Sequence, residues 1–438
     1  MSLKSIHSSL QQFKNIFFHY PKSLFFSSYY HFPYKKLNLI GITGTDGKTT
    51  TCILLYEILK NAGIKTGVIT TIGAKFGDNQ EIDTGLHMTS PDPSLIQKIF
   101  NQMIKAGTTH VICEVTAHAL DQYRFNGCHF SSAAITNISH EHLDYYHNME
   151  EYIKSKAKIF QQSDRAILNK DDPSFAVLKS STKIPITTFS IDSPSDYQAK
   201  NIKLTSQKLQ FEVNGLKIIT DSTYYYQIYN ILVALIIIDN LKIDRQFLLS
   251  TVKNFPTTRG RREEVQNDLK IKTIVDFAHT PAALESTLSS LKKTVDGRII
   301  VIFGATGGRD SSKRPKMGEV ASRLANIALI TADDTREEDV NQINQQIISG
   351  IDLSKSQLIN QEDAKTIGQI KKIINLSQKK FVYFNIPNRQ DAFNLAIKLA
   401  QTNDIVIACG KGHESTILHG KTEYPWSEPE AFRTAFRL

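Results

Sequence analysis

From Leu37 onward the chain alternates short apolar runs with longer stretches whose apolar residues recur every three or four positions. LNLIGIT (37–43), KTGVITT (65–71) and THVICEV (109–115) have the length and β-branched content of buried strands. Between them, TTTCILLYEILKNAG (49–63) and SLIQKIFNQMIKAG (94–107) carry helical spacing. Strands separated by helices of this length predict a parallel sheet with helical crossovers. Between Asp192 and Asp221 the pattern changes: YQAKNIKLTSQKLQFEVNGLKIIT alternates like antiparallel hairpins, and a helix is expected from Ile228 to Asn240. The stretch Pro256, Thr257, Thr258, Arg259, Gly260 breaks the periodicity. Strand-like runs then resume with KTIVDFA, RIIVIFGA, NIALITADD, KKFVYFN and NDIVIACGKG. The expected architecture is α/β: a P-loop central domain with a mainly parallel sheet over 37–255, and a smaller Rossmann-like C-terminal α/β domain over 256–438.

Residues 1–36 form a short aromatic segment ahead of the first strand. Phe13, Phe17, Phe18, Tyr20, Phe25, Phe26, Tyr29, Tyr30, Phe32 and Tyr34 crowd into it, but Lys14, His19, Lys22 and His31 interrupt them. No unbroken apolar run is left to span a bilayer, and no small-residue cleavage site follows a clean apolar stretch. Two readings stay open: aromatics packed onto the following domain, or an interfacial membrane anchor.

A length of 438 residues, with 41% hydrophobic and 22% charged composition, suits two or three globular domains. The net charge of +9 fits an acidic partner of some kind. Lys and Arg are spread without a basic tail, and there is no zinc-finger or basic-zipper pattern, so no nucleic-acid partner is expected. Cys52, Cys113, Cys128 and Cys409 lie far apart with no CxxC pair, which argues against a disulfide frame or zinc site and fits a reducing cytoplasm.

The first strand runs directly into Gly44, Thr45, Asp46, Gly47, Lys48, Thr49 and Thr50, and a helix opens at once. In such a turn, backbone N–H groups curl around phosphate oxygens and the helix N-terminus adds partial positive charge. Lys48 reaches the outer phosphates, and the Thr49 hydroxyl can ligate Mg²⁺. The general P-loop spacing is not met, but the shorter GTxGKT version fits.

GTDGKTT resembles the GTNGKTT motif of the muramyl-peptide (Mur) ligase family. EVTAHAL at Glu114–Leu120, NISHEHLD at Asn137–Asp144 and KSKAKIF at Lys154–Phe160 resemble three further motifs of that family, in the same order. The resemblance implies a second Mg²⁺ held by Glu114 and His142, with Lys156 carbamylated as a metal-associated carboxylate. It thus names Lys48, Glu114, His142 and Lys156 as catalytic, and Thr49, Glu114, His142 and Lys156 as metal-associated. It also implies an acyl phosphate, formed by attack of a carboxylate on the γ-phosphate of ATP and displaced by an incoming amine.

HMTSP at His87–Pro91 resembles a substrate-contacting motif, and the resemblance carries Thr89, Ser90, Thr116, Gln122 and Arg124 to the muramyl-peptide acceptor. In the second half, GRRE at Gly260–Glu263, VDFAHTP at Val275–Pro281 and GATGGRDSSKRPKMG at Gly304–Gly318 resemble the family's nucleotide-closing domain. They place Arg261, Asp276, His279 and Lys313 at ATP, beside Gln227 where the family has an asparagine associated with adenine. Asp333, Asp334, Thr335 and Arg336 stand where diaminopimelate-adding members show DNPR. Arg309, Asp334, Arg336, Gly410 and Glu414 are the implied amino-acid contacts, with diaminopimelate favoured and lysine or another diamine left open.

The resemblance covers roughly 37–438 and implies a monomeric bacterial cytoplasmic enzyme using ATP and Mg²⁺. Its implied reaction is addition of a diamino acid to UDP-N-acetylmuramoyl-L-alanyl-D-glutamate. A polyglutamate- or cyanophycin-type ligase and a non-catalytic nucleotide-binding cell-wall partner are the alternatives. Family members normally begin with a uridine-nucleotide-binding domain, for which 36 residues are too few. Uridine recognition is therefore expected to be reduced, supplied by another protein, or replaced by a membrane-linked acceptor near the aromatic segment.

Overall fold

The run LNLIGIT has no polar face, as expected of a strand covered on both sides of a parallel sheet, and the structure places it at a sheet centre. That structure, a computed structural model, describes residues 13–78, 80–84, 90–141, 145–146, 148–205, 207–359, 366–377 and 379–437. It divides into two units, Met1–Ser139 with Tyr145–Pro256, and His140–Asp144 with Thr257–Leu438.

In the first unit the strands are β1 (Asn38–Thr43), β2 (Thr66–Thr70), β3 (Gly73–Phe76), β4 (Gln80–Ile82), β5 (His110–Glu114), β6 (Phe130–Ile135), β7 (Ala166–Asn169), β8 (Ile186–Ser190) and β9 (Tyr197–Gln198). They form one sheet in the order β4-β3-β2-β5-β1-β6-β7-β8-β9. Strand β1 pairs in parallel with β5 on one side and β6 on the other, Ile40 lying against Ile112 and Ser132. Only the β2-β3-β4 edge is antiparallel. The helix Gln227–Asn240 is apolar all round, and Ile231–Ile238 are fully buried. Such a helix belongs inside a core, and it shares one with Leu54, Leu55 and Ile58 of the helix Lys48–Asn61.

The expected hairpins are β10 (Lys200–Leu204), β11 (Leu209–Val213) and β12 (Leu216–Thr220), an antiparallel sheet. Leu209, Phe211 and Val213 face the core while the residues between them do not. Asn214 and Gly215 both adopt positive φ, as a tight hairpin turn between right-twisted strands requires.

The second unit has β13 (Arg261–Glu264), β14 (Lys272–Asp276), β15 (Ile299–Phe303), β16 (Ile327–Ile330), β17 (Ser356–Leu358), β18 (Phe381–Asn385) and β19 (Ile405–Cys409). Their order is β13-β14-β19-β15-β16-β18-β17, with β13 alone antiparallel. Ile300, Ile302, Leu329, Phe384 and Val406 make its core.

The leading aromatics divide: Tyr34 is buried, Phe26, Tyr30 and Phe32 are partly buried, and the rest face outward. On the helix Tyr20–Tyr29 it is Ser23 and Ser27 that are buried, while Phe25 and Tyr29, like Phe13, Phe17 and Phe18 ahead of it, are exposed. Small side chains let this helix approach the helix Pro93–Lys105 closely, and Lys22 anchors it through a 2.7 Å ion pair to Asp92. Among the described residues no helix is long and apolar enough to cross a membrane.

Candidate active site

The carboxyl ends of parallel strands gather loops on one edge of a sheet, and in the first unit the glycine turn follows β1 there. Gly44 has φ +148° and Gly47 φ +84°. A Cβ on Gly44 would lie 1.9 Å from Thr136 Oγ1, and one on Gly47 would lie 2.7 Å from Asn230 Oδ1. Both glycines are therefore required by close approach as well as by backbone angle.

The turn is held from β6: Thr45 N donates to Asn137 O at 2.8 Å, Asp46 N to Asn137 Oδ1 at 2.9 Å, and Thr136 Oγ1 to Asp46 O at 2.7 Å. Thr50 lies in the first turn of the helix Lys48–Asn61, which Gly47 caps. Beneath the turn, Thr51 Oγ1 donates to Asn230 Oδ1 at 3.1 Å, and Asn230 Nδ2 donates to Gln227 Oε1 at 2.6 Å. Gln227 is buried in this brace, so its carbonyl oxygen already supports the turn.

Four predicted residues meet here. Lys48 Nζ donates to Thr45 O at 2.7 Å, folding back over the turn. Thr49 Oγ1 donates to Glu114 Oε2 at 2.9 Å, and Thr71 gives Glu114 a backbone N–H and a hydroxyl, each at 3.1 Å. Glu114 ends β5, the neighbour of β1, which is why residues 65 apart in sequence touch. Lys156 is 2% exposed; its Nζ donates to Gly44 O at 2.7 Å and lies 4.5 Å from the Tyr152 ring centroid. Burying an ammonium is costly without such partners. His142 and Thr89 lie outside the described residues.

A second group lies beside the first. Ser90 Oγ is 3.3 Å from Thr116 Oγ1 and accepts from Thr116 N at 3.2 Å. Arg124 donates through Nε and Nη2 to Gln122 Oε1 at 3.1 and 2.7 Å, and through Nη1 to Ser90 O. Burial lowers the Arg124 pKa from its ordinary value, opposed by Asp92 and Tyr145. A desolvated guanidinium of this kind favours an anionic ligand.

In the second unit Gly260 (φ +66°) packs on Gly412 and His413, and a Cβ there would strike His413 N at 1.9 Å. Arg261 lies over the Phe277 ring at 4.2 Å. Asp276 accepts from Arg262 N at 3.0 Å and from Ala278 N at 2.9 Å, so its carboxylate shapes the loop after β14. Lys313 Nζ donates to His279 O at 3.0 Å. His279 Nε2 lies 2.7 Å from Glu141 Oε1. Burial alone would lower the His279 pKa, but the Glu141 carboxylate outweighs it and raises the value above 6.5.

Asp333–Arg336 follow β16 and meet the Gly410–Glu414 turn after β19. Lys411, fully buried, donates to Asp334 Oδ1 at 2.7 Å and pairs with Glu414 at 2.5 Å; Leu418 N also donates to Asp334 Oδ1 at 2.9 Å. A Cβ on Gly410 would lie 2.6 Å from Asp333 Oδ2. Arg336 has φ +52°, and its Cδ lies 3.4 Å from the Cβ position of Gly308, next to exposed Arg309. The two arginines thus occupy facing loops.

Sequence reasoning missed Lys411, Glu141 and the fully buried Arg389–Glu428 pair (2.8 Å), in which Arg389 also donates to Ala332 O and Cys409 O. Lys411 sits between two predicted residues, and that position was its one available signal. Among the described residues no group of three or more His, Cys, Asp or Glu side chains could hold a metal ion.

A two-unit α/β protein with a phosphate-cradling turn, a carboxylate and a buried lysine beside it has the parts of a nucleotide-dependent ligase. The Mur ligase middle domain family matches residues 42–238, and the Mur ligase glutamate ligase domain family matches 260–412. The UDP-N-acetylmuramoyl-L-alanyl-D-glutamate--2,6-diaminopimelate ligase of Geobacillus thermodenitrificans is 31% identical over 423 residues, covering 94% of this chain and 81% of its own. The enzyme of the same name from Caldanaerobacter subterraneus is 33% identical over 413 residues, covering 92% and 79%.

A solved structure bearing that name aligns with TM-score 0.59 and 27% identity, over 92% of this chain and 78% of the other. Folylpolyglutamate synthase of Mycobacterium tuberculosis aligns with TM-score 0.71 but 15% identity, over 95% of each chain, a likeness of fold alone. The chain belongs to the Mur ligase family of ATP-dependent amide ligases.

Proposed function

We propose that this chain joins a carboxylate of UDP-N-acetylmuramoyl-L-alanyl-D-glutamate to an amine of meso-diaminopimelate, releasing ADP and phosphate. The reading rests on the names of its relatives, and on one observation above all: Lys48, Thr49, Glu114 and Lys156 converge on a single glycine turn.

The N–H groups at the helix N-terminus after Gly47 hold the ATP phosphates, and Lys48 draws charge toward the outer ones. The acceptor carboxylate attacks the γ-phosphorus, the bond to the ADP oxygen breaks, and an acyl phosphate forms. The amine then attacks the acyl carbon, loses a proton and expels phosphate. Ser90, Thr116, Gln122 and Arg124, with Thr89, orient the acceptor. Arg309 and Arg336 receive a carboxylate of the amino acid, while Glu414 faces its ammonium and Asp334 and Gly410 set the loop. In the second unit, Arg261, Asp276, His279 and Lys313 are the residues we assign to ATP.

Thr49 and Glu114 are hard oxygen donors that fit Mg²⁺, an ion commonly held by one or two carboxylates together with substrate phosphates. Lys156 as a carbamate, and His142, would complete the donor set. When bound, Mg²⁺ offsets the negative charge that crowds the phosphoryl transfer. We place the enzyme as a monomer in the bacterial cytoplasm.

The test is ADP release with ATP, the UDP-linked dipeptide acceptor and a panel of amino acids. Release should require both the acceptor and a diamino acid, diaminopimelate above lysine. Equal release across the panel would remove the substrate assignment.

A further inference from the structure

The aromatic residues that the first helix leaves outside form a continuous feature. Phe13, Phe17 and Phe18 are 57–65% exposed, Phe25 and Tyr29 are 61% and 65% exposed, and Leu24 between them is 47% exposed. They lie on a helical stretch over residues 13–29 whose opposite side is fixed by buried Asn15, Ser23 and Ser27. The face is therefore not a frayed end. It is held outward by a docked helix, and rings pair along it, Phe13 with Phe17 at 4.3 Å and Phe25 with Tyr29 at 6.2 Å.

An apolar patch held in water is costly unless something covers it. The charge around it selects the cover. No acidic residue occurs before Asp46, whereas Lys4, Lys14, Lys22, Lys35 and Lys36 all fall within the first 36 residues. Lys22 is occupied by Asp92, but Lys14, Lys35 and Lys36 are exposed beside the aromatics. Phenylalanine and tyrosine with flanking lysines and no carboxylate in their own segment match the interface of an anionic bilayer: rings enter the headgroup boundary and lysines meet lipid phosphates. A protein partner would have to bring the complementary acids itself.

We propose that residues 13–36 dock the protein flat on an anionic lipid surface, without crossing it. The inference does not depend on which amino acid the ligase adds.

It is tested by co-sedimentation of the full chain with phosphatidylglycerol-containing and pure phosphatidylcholine vesicles, beside Phe17→Glu/Phe25→Glu and Lys14→Glu/Lys35→Glu/Lys36→Glu variants. Wild type should bind the anionic vesicles at least tenfold more than the neutral ones, with binding falling as salt rises. Each variant should lose at least tenfold in binding while ATP turnover on the soluble acceptor stays unchanged, a readout that separates this inference from the ligase assignment. Absence of vesicle binding by wild type, or equal binding by the variants, would overturn it. So would an aromatic face consumed by self-association: light scattering showing a dimer that Phe17→Glu/Phe25→Glu dissolves, with no vesicle binding.

Discussion

The glycine turn of the first unit and the Asp333–Arg336 loop of the second both hold a lysine, but they treat its charge in opposite ways. At the turn, Lys48 donates to Thr45 O, a neutral carbonyl that positions its ammonium. In the loop, Lys411 is clamped by the carboxylates of Asp334 and Glu414, and Arg389 is likewise matched by Glu428. The first arrangement keeps positive field for a polyphosphate; the second stiffens the loops that carry Arg336 and Gly410. A buried cation alone thus does not mark a binding site, and the identity of its partner separates the two roles.

Breaking each region should therefore give a different kind of defect. The largest effect is expected for Lys48→Ala, which should reduce kcat by about 10³-fold or more, as loss of a charge-stabilising group at phosphoryl transfer does, while thermal unfolding barely moves. Glu428→Ala should do the reverse at the scaffold. It leaves Arg389 buried and unmatched at a cost of about 3–5 kcal/mol, read as a lowered denaturation midpoint.

Gly44→Ala tests the turn's backbone rather than its charge. With φ +148° and Thr136 Oγ1 in the way, it should cost about 1–3 kcal/mol in stability and weaken ATP binding. The smallest effect is expected at His279. Its pKa is raised by Glu141, so the pair stabilises fully below pH 6.5 and loses its contribution as pH climbs through the raised value. The stability gap between wild type and Glu141→Gln, followed by denaturant unfolding against pH, should be widest on the acid side and close on the alkaline side.

Much of this was legible in the chain. The apolar runs at 37–43, 65–71 and 109–115 became β1, β2 and β5 because strands covered on both faces cannot alternate. The glycine turn was readable because strand, glycines and helix are contiguous. The order of motifs brought Glu114 and Lys156 to it, although they come from a different strand and a different helix.

Other features were not legible. The leading aromatics left packing and membrane-facing readings open, and it is Ser23 and Ser27 that make the helix contact, because close helix packing favours small side chains and composition does not report direction. Lys411, Arg389 and Glu141 gave little or no local sign, since each matters through partners 39 to 138 residues away. The bracing of the turn by Gln227 through Asn230 likewise needs the three-dimensional register of two helices.

The most direct measurement follows oxygen. With the acceptor carboxylate labelled with ¹⁸O, the attacking oxygen becomes the bridge of the acyl phosphate and leaves with the phosphate when the amine displaces it. Mass spectrometry of the released phosphate should find one ¹⁸O per turnover. Unlabelled phosphate accompanying normal amide formation would contradict the account.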